Sequence, residues 1–165
     1  MKLTFMGAGS TVFARNVIGD CMCVESLRDS TFALYDIDGK RVEESRTILE
    51  AIRKNNGGYG RIECYVGEEN RKAALKDADF VVNAIQVGGY EPCTVIDFEI
   101  PKKYGIDTNI GDTRSIAGIF RAARNIPLML DICHDIEKYC PNAVFLNYTN
   151  HHWIELLIVQ FFYFQ

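Results

Sequence analysis

Four residues near the start of the chain carry most of its chemistry. Gly7, Gly9 and Ser10 lie in the run Met6-Gly7-Ala8-Gly9-Ser10-Thr11-Val12, and Asp36 closes the apolar run Phe32-Ala33-Leu34-Tyr35. Gly7 allows a tight turn out of a short apolar strand, and Gly9 lets the backbone come close to a pyrophosphate. A helix opening near Ser10, with Thr11 and Val12 in its first turn, offers N–H groups and the positive end of its dipole to the phosphates. An acid at the end of the next strand is placed to accept hydrogen bonds from a ribose diol and would repel a 2′-phosphate. The pattern therefore points to a dinucleotide, and to NAD over NADP. The glycines alone could simply end a buried strand; the register of strand, glycines, helix and acidic strand end carries the reading. Val12 stands where the usual fingerprint has a third glycine, which predicts a slightly wider packing of helix against strand.

These residues need a scaffold, and the periodicity supplies one. Residues 2–5 read as the first strand and 10–24 as a helix. Gly39–Asn55 has helical spacing, with Val42, Ile48, Leu49 and Ile52 on one face, and Asn55-Asn56-Gly57-Gly58 stops it. Arg61–Val66 alternates like a half-buried strand, and residues 71–76 form a short helix ended by Asp77-Ala78-Asp79. The segment 80–85, apolar but for Asn83, suits a strand covered on both faces. A glycine-bearing turn at residues 86–89 leads into a helix expected over 91–104. Residues 115–139 are a long amphipathic stretch in which Pro127 should kink the helix or mark a boundary, and 143–147 reads as a last strand. Helices alternating with parallel-type strands predict an α/β fold: a Rossmann-like, doubly wound, mostly parallel sheet with helices on both faces.

At 165 residues the chain is about one domain, and its 48% hydrophobic and 24% charged content is ordinary for a globular protein. A net charge of −4, with scattered Lys and Arg, gives no reason to expect nucleic-acid binding. No apolar stretch is long enough to predict a membrane span. No basic region precedes an apolar segment at the start, so no secretory leader and a cytoplasmic location are expected. In that setting Cys21, Cys23, Cys64, Cys93, Cys133 and Cys140 are expected to be reduced thiols. They form no Cys-x-x-Cys pair, and no metal ligand is assigned.

Several segments closely resemble the family 4 glycoside hydrolases, the NAD- and metal-dependent glycosidases, and within them the α-galactosidase branch. The resemblance is carried by Gly7-Ala8-Gly9-Ser10-Thr11-Val12-Phe13, Asp36-Ile37-Asp38, Asp77-Ala78-Asp79-Phe80-Val81-Val82-Asn83, Gln86-Val87-Gly88-Gly89-Tyr90-Glu91-Pro92-Cys93-Thr94, Asp97-Phe98-Glu99 and Asn147-Tyr148-Thr149-Asn150. It implies a hydrolysis in which NAD oxidises the sugar hydroxyl at carbon 3, and a divalent metal, usually manganese, assists departure of the aglycone. This differs from the two-carboxylate route of most glycosidases. By the same resemblance Gly7, Gly9, Ser10 and Asp36 match cofactor positions. Gln86, Val87 and Gly88 match a strand-end turn beside the cofactor. Asp112 falls at an acidic position of the sugar site, giving it a catalytic role, and Asn150 matches a substrate-contacting Asn. Asp112 could equally cap the helix that follows, and Asn150 could be a turn residue. Relatives acting on 6-phosphorylated sugars carry an Arg where this chain has Cys93, so an unphosphorylated α-galactoside, or a close relative such as an α-glucuronide, is the expected substrate.

The family pattern has Pro after that Asn, where this chain has His151. The expectation is an NAD-binding domain over residues 1–150, followed by an atypical apolar tail over 151–165 from truncation or a shifted frame, with the C-terminal catalytic and metal-binding domain absent. His151 and His152 are adjacent, point in different directions and have no carboxylate cluster beside them. The tail, with Glu155 as its one charge, predicts self-association and hence a homo-oligomer. Two other classes remain: a non-catalytic nucleotide-binding module, and a 2-hydroxy-acid dehydrogenase, for which no Arg-bearing substrate loop or catalytic His stands at a strand end.

Overall fold

The first strand explains the layout. In β1 (Lys2–Met6), Leu3 to Met6 are all buried, a run that only a strand covered on both faces shows. There follow, in chain order, α1 (Thr11–Cys23), β2 (Thr31–Asp36), α2 (Gly39–Asn55), β3 (Arg61–Val66), a 3-10 turn (Glu68–Asn70), α3 (Arg71–Leu75), β4 (Phe80–Asn83), a wide helical turn (Gly89–Thr94), α4 (Val95–Lys102), α5 (Ile116–Tyr139) and β5 (Val144–Asn147). The structure is a computed structural model that describes residues 1–109 and 115–149. The chain divides into two compact units, Met1–Ala84 with Asp135–Asn147, and Ile85–His134 with the residues after Asn147.

The first unit holds a parallel sheet in the order β3-β2-β1-β4-β5. Phe5 pairs in register with Leu34 on one side and Val82 on the other. Strand alternation sends Leu3, Phe5, Phe32, Leu34 and Val82 to one face, where they pack with Ala14, Ile18 and Met22 of α1 and Val42 and Leu49 of α2. Phe5 is fully buried, so Phe5→Ala would cost roughly 3–5 kcal/mol. Thr4 points the other way, and its hydroxyl donates to the Ala74 carbonyl of α3 at 2.8 Å. On that face Arg71 of α3 is also held by Asp135 at 2.7 Å. Helices thus cover both faces of a Rossmann-like, doubly wound sheet, as the alternation of elements predicts.

α2 and β3 have the bounds expected from periodicity, and Asp38 caps α2 by accepting from the amides of Lys40 and Arg41. α3 stops where Asp77 takes a left-handed φ of 57°, a conformation that Asp tolerates better than most residues. Two expectations need correction. The helix expected over 91–104 starts only at Val95, because Pro92 pushes Glu91 into an extended conformation (φ −105°, ψ 132°). Pro127 marks no boundary, since α5 is helical on both sides of it. Pro127 and Ala123, whose carbonyl it leaves without a helical donor, are both exposed, so water can hydrate that carbonyl.

Candidate functional site

In the first unit the glycine turn is bound to the end of β2. Gly7 has a φ of 90°, which a residue with a side chain rarely adopts. Its N–H and that of Ala8 both donate to the Tyr35 carbonyl at 2.9 Å. The Ser45 hydroxyl, from α2, donates to the Ala8 carbonyl at 2.6 Å. The Gly9 N–H donates to Asp36 Oδ2 at 2.7 Å, and Asp36 Oδ1 accepts from the Asp38 N–H at 3.1 Å. Each carboxylate oxygen has used one of its two acceptor directions, and Asp36 is only half-buried, so both can still receive a ribose hydroxyl. A Cβ on Gly9 would lie 2.7 Å from Asp36 Oδ2 and 3.2 Å from Arg41 Cβ. Glycine is therefore needed there for the carboxylate's sake, in addition to any phosphate.

Two helix N-termini lie close to this turn in sequence, and only one is capped. Asp38 caps α2, whereas the Ser10 hydroxyl makes no capping bond to α1, whose first turn carries no acid. The first amides of α1 thus have no acceptor in the Ser10 side chain or in an acid of the first turn, which leaves them to a pyrophosphate. The Thr11 N–H donates to the Gly9 carbonyl at 3.0 Å, tightening the entry to the helix. Val12 is 62% exposed, so it does not widen the packing of helix against strand as expected. α1 meets the sheet through Ala14 and Ile18. A dinucleotide therefore fits the residues present.

In the second unit the turn after β4 is held by a polar face of α5. The Val87 N–H donates to Asn125 Oδ1 at 3.1 Å, and Gln86 Nε2 donates to the Gly89 carbonyl at 3.3 Å. Gly88, with a φ of 87°, has no room for a side chain because a Cβ would run into Cys93 Sγ. Arg124 grips Asp97 through two hydrogen bonds, Nη1 to Oδ1 at 2.8 Å and Nη2 to Oδ2. That hydrogen bonding holds the guanidinium's pKa above its ordinary value. Thr94, Arg121, Arg124 and Asn125 were not legible as site residues in the sequence. The available signal was polar residues at i, i+3 and i+4 along a helix whose neighbours are apolar.

Asp112 and Asn150 lie outside the described residues, as do His151, His152 and the tail over 151–165. Among the described residues no group of three or more His, Cys, Asp or Glu side chains could hold a metal ion, and no helix is long and apolar enough to cross a membrane.

Residues 2–158 match the model of the family described as family 4 glycosyl hydrolase. The chain belongs to that family. This family 4 chain is 56% identical over 149 residues to an alpha-galactosidase of Bacillus subtilis (strain 168), covering 90% of the chain and 34% of that relative. It is 36% identical over 150 residues to an alpha-galacturonidase of Thermoanaerobacterium saccharolyticum, covering 91% of the chain and 32% of the relative. A crystal structure of a 6-phospho-alpha-glucosidase from gut microorganisms, in complex with NAD and Mn2+, superposes with a TM-score of 0.85 at 22% identity, over 98% of this chain and 36% of that one. At that identity the likeness speaks for the fold. The family 4 chain thus spans about a third of the length of the relatives it matches.

Proposed function

We propose that the chain is the dinucleotide-binding part of an NAD- and divalent-metal-dependent glycosidase that acts on an unphosphorylated α-galactoside, or on a close relative such as an α-glucuronide. The observation that carries the cofactor half of this reading is the Gly9–Asp36 hydrogen bond beside an uncapped helix N-terminus. Gly7, Gly9, Ser10, Thr11 and Val12 form the pyrophosphate cradle, Asp36 takes the adenosine ribose, and Gln86, Val87 and Gly88 form a further cofactor-contacting turn. Bound NAD would supply hydride acceptance at the sugar. The chain's own part is to fix the cofactor: α1 directs its amides at the phosphates, and Asp36 accepts from the ribose hydroxyls and disfavours a 2′-phosphate. The described donors make no metal site, so the manganese of the family is assigned to no residue among them.

The substrate half is supported by family membership, by the alpha-galactosidase relative at 56% identity, and by Cys93 standing where a phosphate-gripping Arg would be. Asp112 as the acid of the sugar site and Asn150 as a sugar contact complete the proposal, with the cofactor domain over residues 1–150, a cytoplasmic location and a homo-oligomeric state. Calorimetric titration tests the cofactor half: NAD should bind and NADP should bind more weakly, and equal affinities would overturn it. For the substrate half, the chain joined to the remaining two-thirds of a family 4 relative should release p-nitrophenol from its α-galactoside with NAD and manganese. Turnover of 6-phosphoglycosides alone would count against it. A nucleotide-binding module without activity of its own is the competing reading. Hydrolysis by the 165-residue chain itself would dismiss it.

A further inference from the structure

Three arginines stand on α2, and they are not used alike. Arg46 pairs with Glu43 at 3.3 Å and Arg53 with Glu50 at 2.9 Å, whereas among the described residues the exposed guanidinium of Arg41 makes no hydrogen bond and no ion pair. Neither acid near it in sequence claims it. Asp36 accepts from the amides of Gly9 and Asp38, and Asp38 accepts from those of Lys40 and of Arg41 itself. An unpaired surface arginine is ordinary, but the place of this one is not. A Cβ on Gly9 would lie 3.2 Å from Arg41 Cβ and 2.7 Å from Asp36 Oδ2, so the stem of Arg41 leaves α2 beside the carboxylate that faces a ribose. Side chains in the first turn of a helix lean toward its N-terminus, which here is the side of Asp36.

Two opposed devices thus flank one ribose within the first unit. An acid at the end of the second strand accepts from the 2′-hydroxyl and repels a 2′-phosphate, whereas an arginine nearby accommodates that phosphate. A site with a single preference needs one of the two; this chain has both, and they do not neutralise each other. A guanidinium suits the task because it stays charged and grips phosphate oxygens in pairs. We propose that Arg41 is a second specificity-determining residue, which receives the 2′-phosphate of NADP, so that the chain accepts NADP as its weaker cofactor instead of excluding it. This rests on the NAD reading above. Asp36 decides which cofactor binds more tightly, and Arg41 decides by how much.

NAD and NADP differ only in the 2′-phosphate, so their ratio of affinities isolates it. Full-length chain would be titrated calorimetrically with both as parent, Arg41→Met, Arg41→Lys and Lys40→Met. Arg41→Met should weaken NADP binding about tenfold and move NAD binding by no more than about twofold. Arg41→Lys keeps the charge without the fork and should cost about threefold in NADP. Lys40 is exposed beside Arg41 on α2, so Lys40→Met controls for charge alone and should hold the parent ratio to within about twofold. In the Asp36→Ala background, adding Arg41→Met should widen the margin over NADP again. An unchanged ratio in Arg41→Met, an equal loss of both cofactors, or as large a shift in Lys40→Met overturns the role of Arg41. Should Arg41→Met fail to fold, Arg41→Lys decides, with the same outcomes. A parent chain that binds no NAD overturns the proposed function and this inference with it; one that binds NAD but no NADP overturns this inference alone.

Discussion

Gly9 and Asp36 occupy one another's space: the Gly9 N–H donates to Asp36 Oδ2 at 2.7 Å, and a Cβ on Gly9 would come equally close to that oxygen. Gly9→Ala therefore presses a methyl group into a carboxylate held on its other oxygen by Asp38. The expected loss is about 1–3 kcal/mol, read from urea denaturation midpoints. Adding Asp36→Ala should return part of that loss, because the two sites couple directly. If the two losses simply add, the contact is not the cause.

Asp36→Ala taken alone should weaken NAD binding by roughly 1.5–3 kcal/mol and narrow the margin over NADP, because charge-assisted hydrogen bonds to the ribose are removed. Paired calorimetric titrations check it; an unchanged NAD-to-NADP ratio would place cofactor discrimination elsewhere.

What the sequence discloses depends on how far apart the interacting residues lie. Gly39–Asn55 is legible because its apolar stripe and its Asp38 cap are local, and Asp36 because its place at a strand end can be counted from the glycines. Val12 misled because its side chain faces solvent, a matter of helix rotation that one position cannot reveal. The polar face of α5 stayed hidden because Arg124 and Asn125 answer to Asp97 and Val87, 27 and 38 residues away. Without the fold, those polar residues read as the solvated side of an amphipathic helix.

Asp97 is 2% exposed and Arg124 supplies its counter-charge. Arg124→Met should leave a buried carboxylate unpaired and cost about 3 kcal/mol or more, whereas Asp97→Asn/Arg124→Met should recover much of it. Thermal unfolding of the three variants checks the order. A double variant no better than Arg124→Met would show that the guanidinium acts through packing.

Alkaline pH should weaken the fold. Burial pushes the Cys140 thiol above its ordinary 9.0 and the Tyr35 phenol above 10.0. The folded state holds these protons more tightly than the unfolded chain does, so their contribution is complete below those ordinary values. It is lost as pH rises through the raised ones. Lys2 has the opposite sign, because burial lowers its pKa from 10.5 and the folded state regains stability as pH climbs. Burial raises Cys21, Cys64 and Tyr65 in the same way, so five groups against one predict a melting temperature steady near neutrality and falling above about pH 9. Cys140→Ala should reduce the steepness of that fall, and a variant with the parent's profile would contradict the assignment.

β1 precedes the other described strands in the chain and is the middle strand of the sheet they form. One of its edges meets β2 soon after it leaves the ribosome; the other must wait for Phe80 to Asn83. The Lys2 N–H bonds Asp79, 77 residues on, and the Thr4 hydroxyl bonds Ala74, 70 residues on. A nascent chain short of that point can assemble β1, β2 and β3 with α1 and α2, but it carries β1, a strand buried from Leu3 to Met6 in the folded protein, with one edge unpaired. Closing so long a loop is slow compared with local helix formation. The interval before β4 emerges is therefore when this protein is most open to mispairing, and when a chaperone that recognises extended apolar segments would find β1.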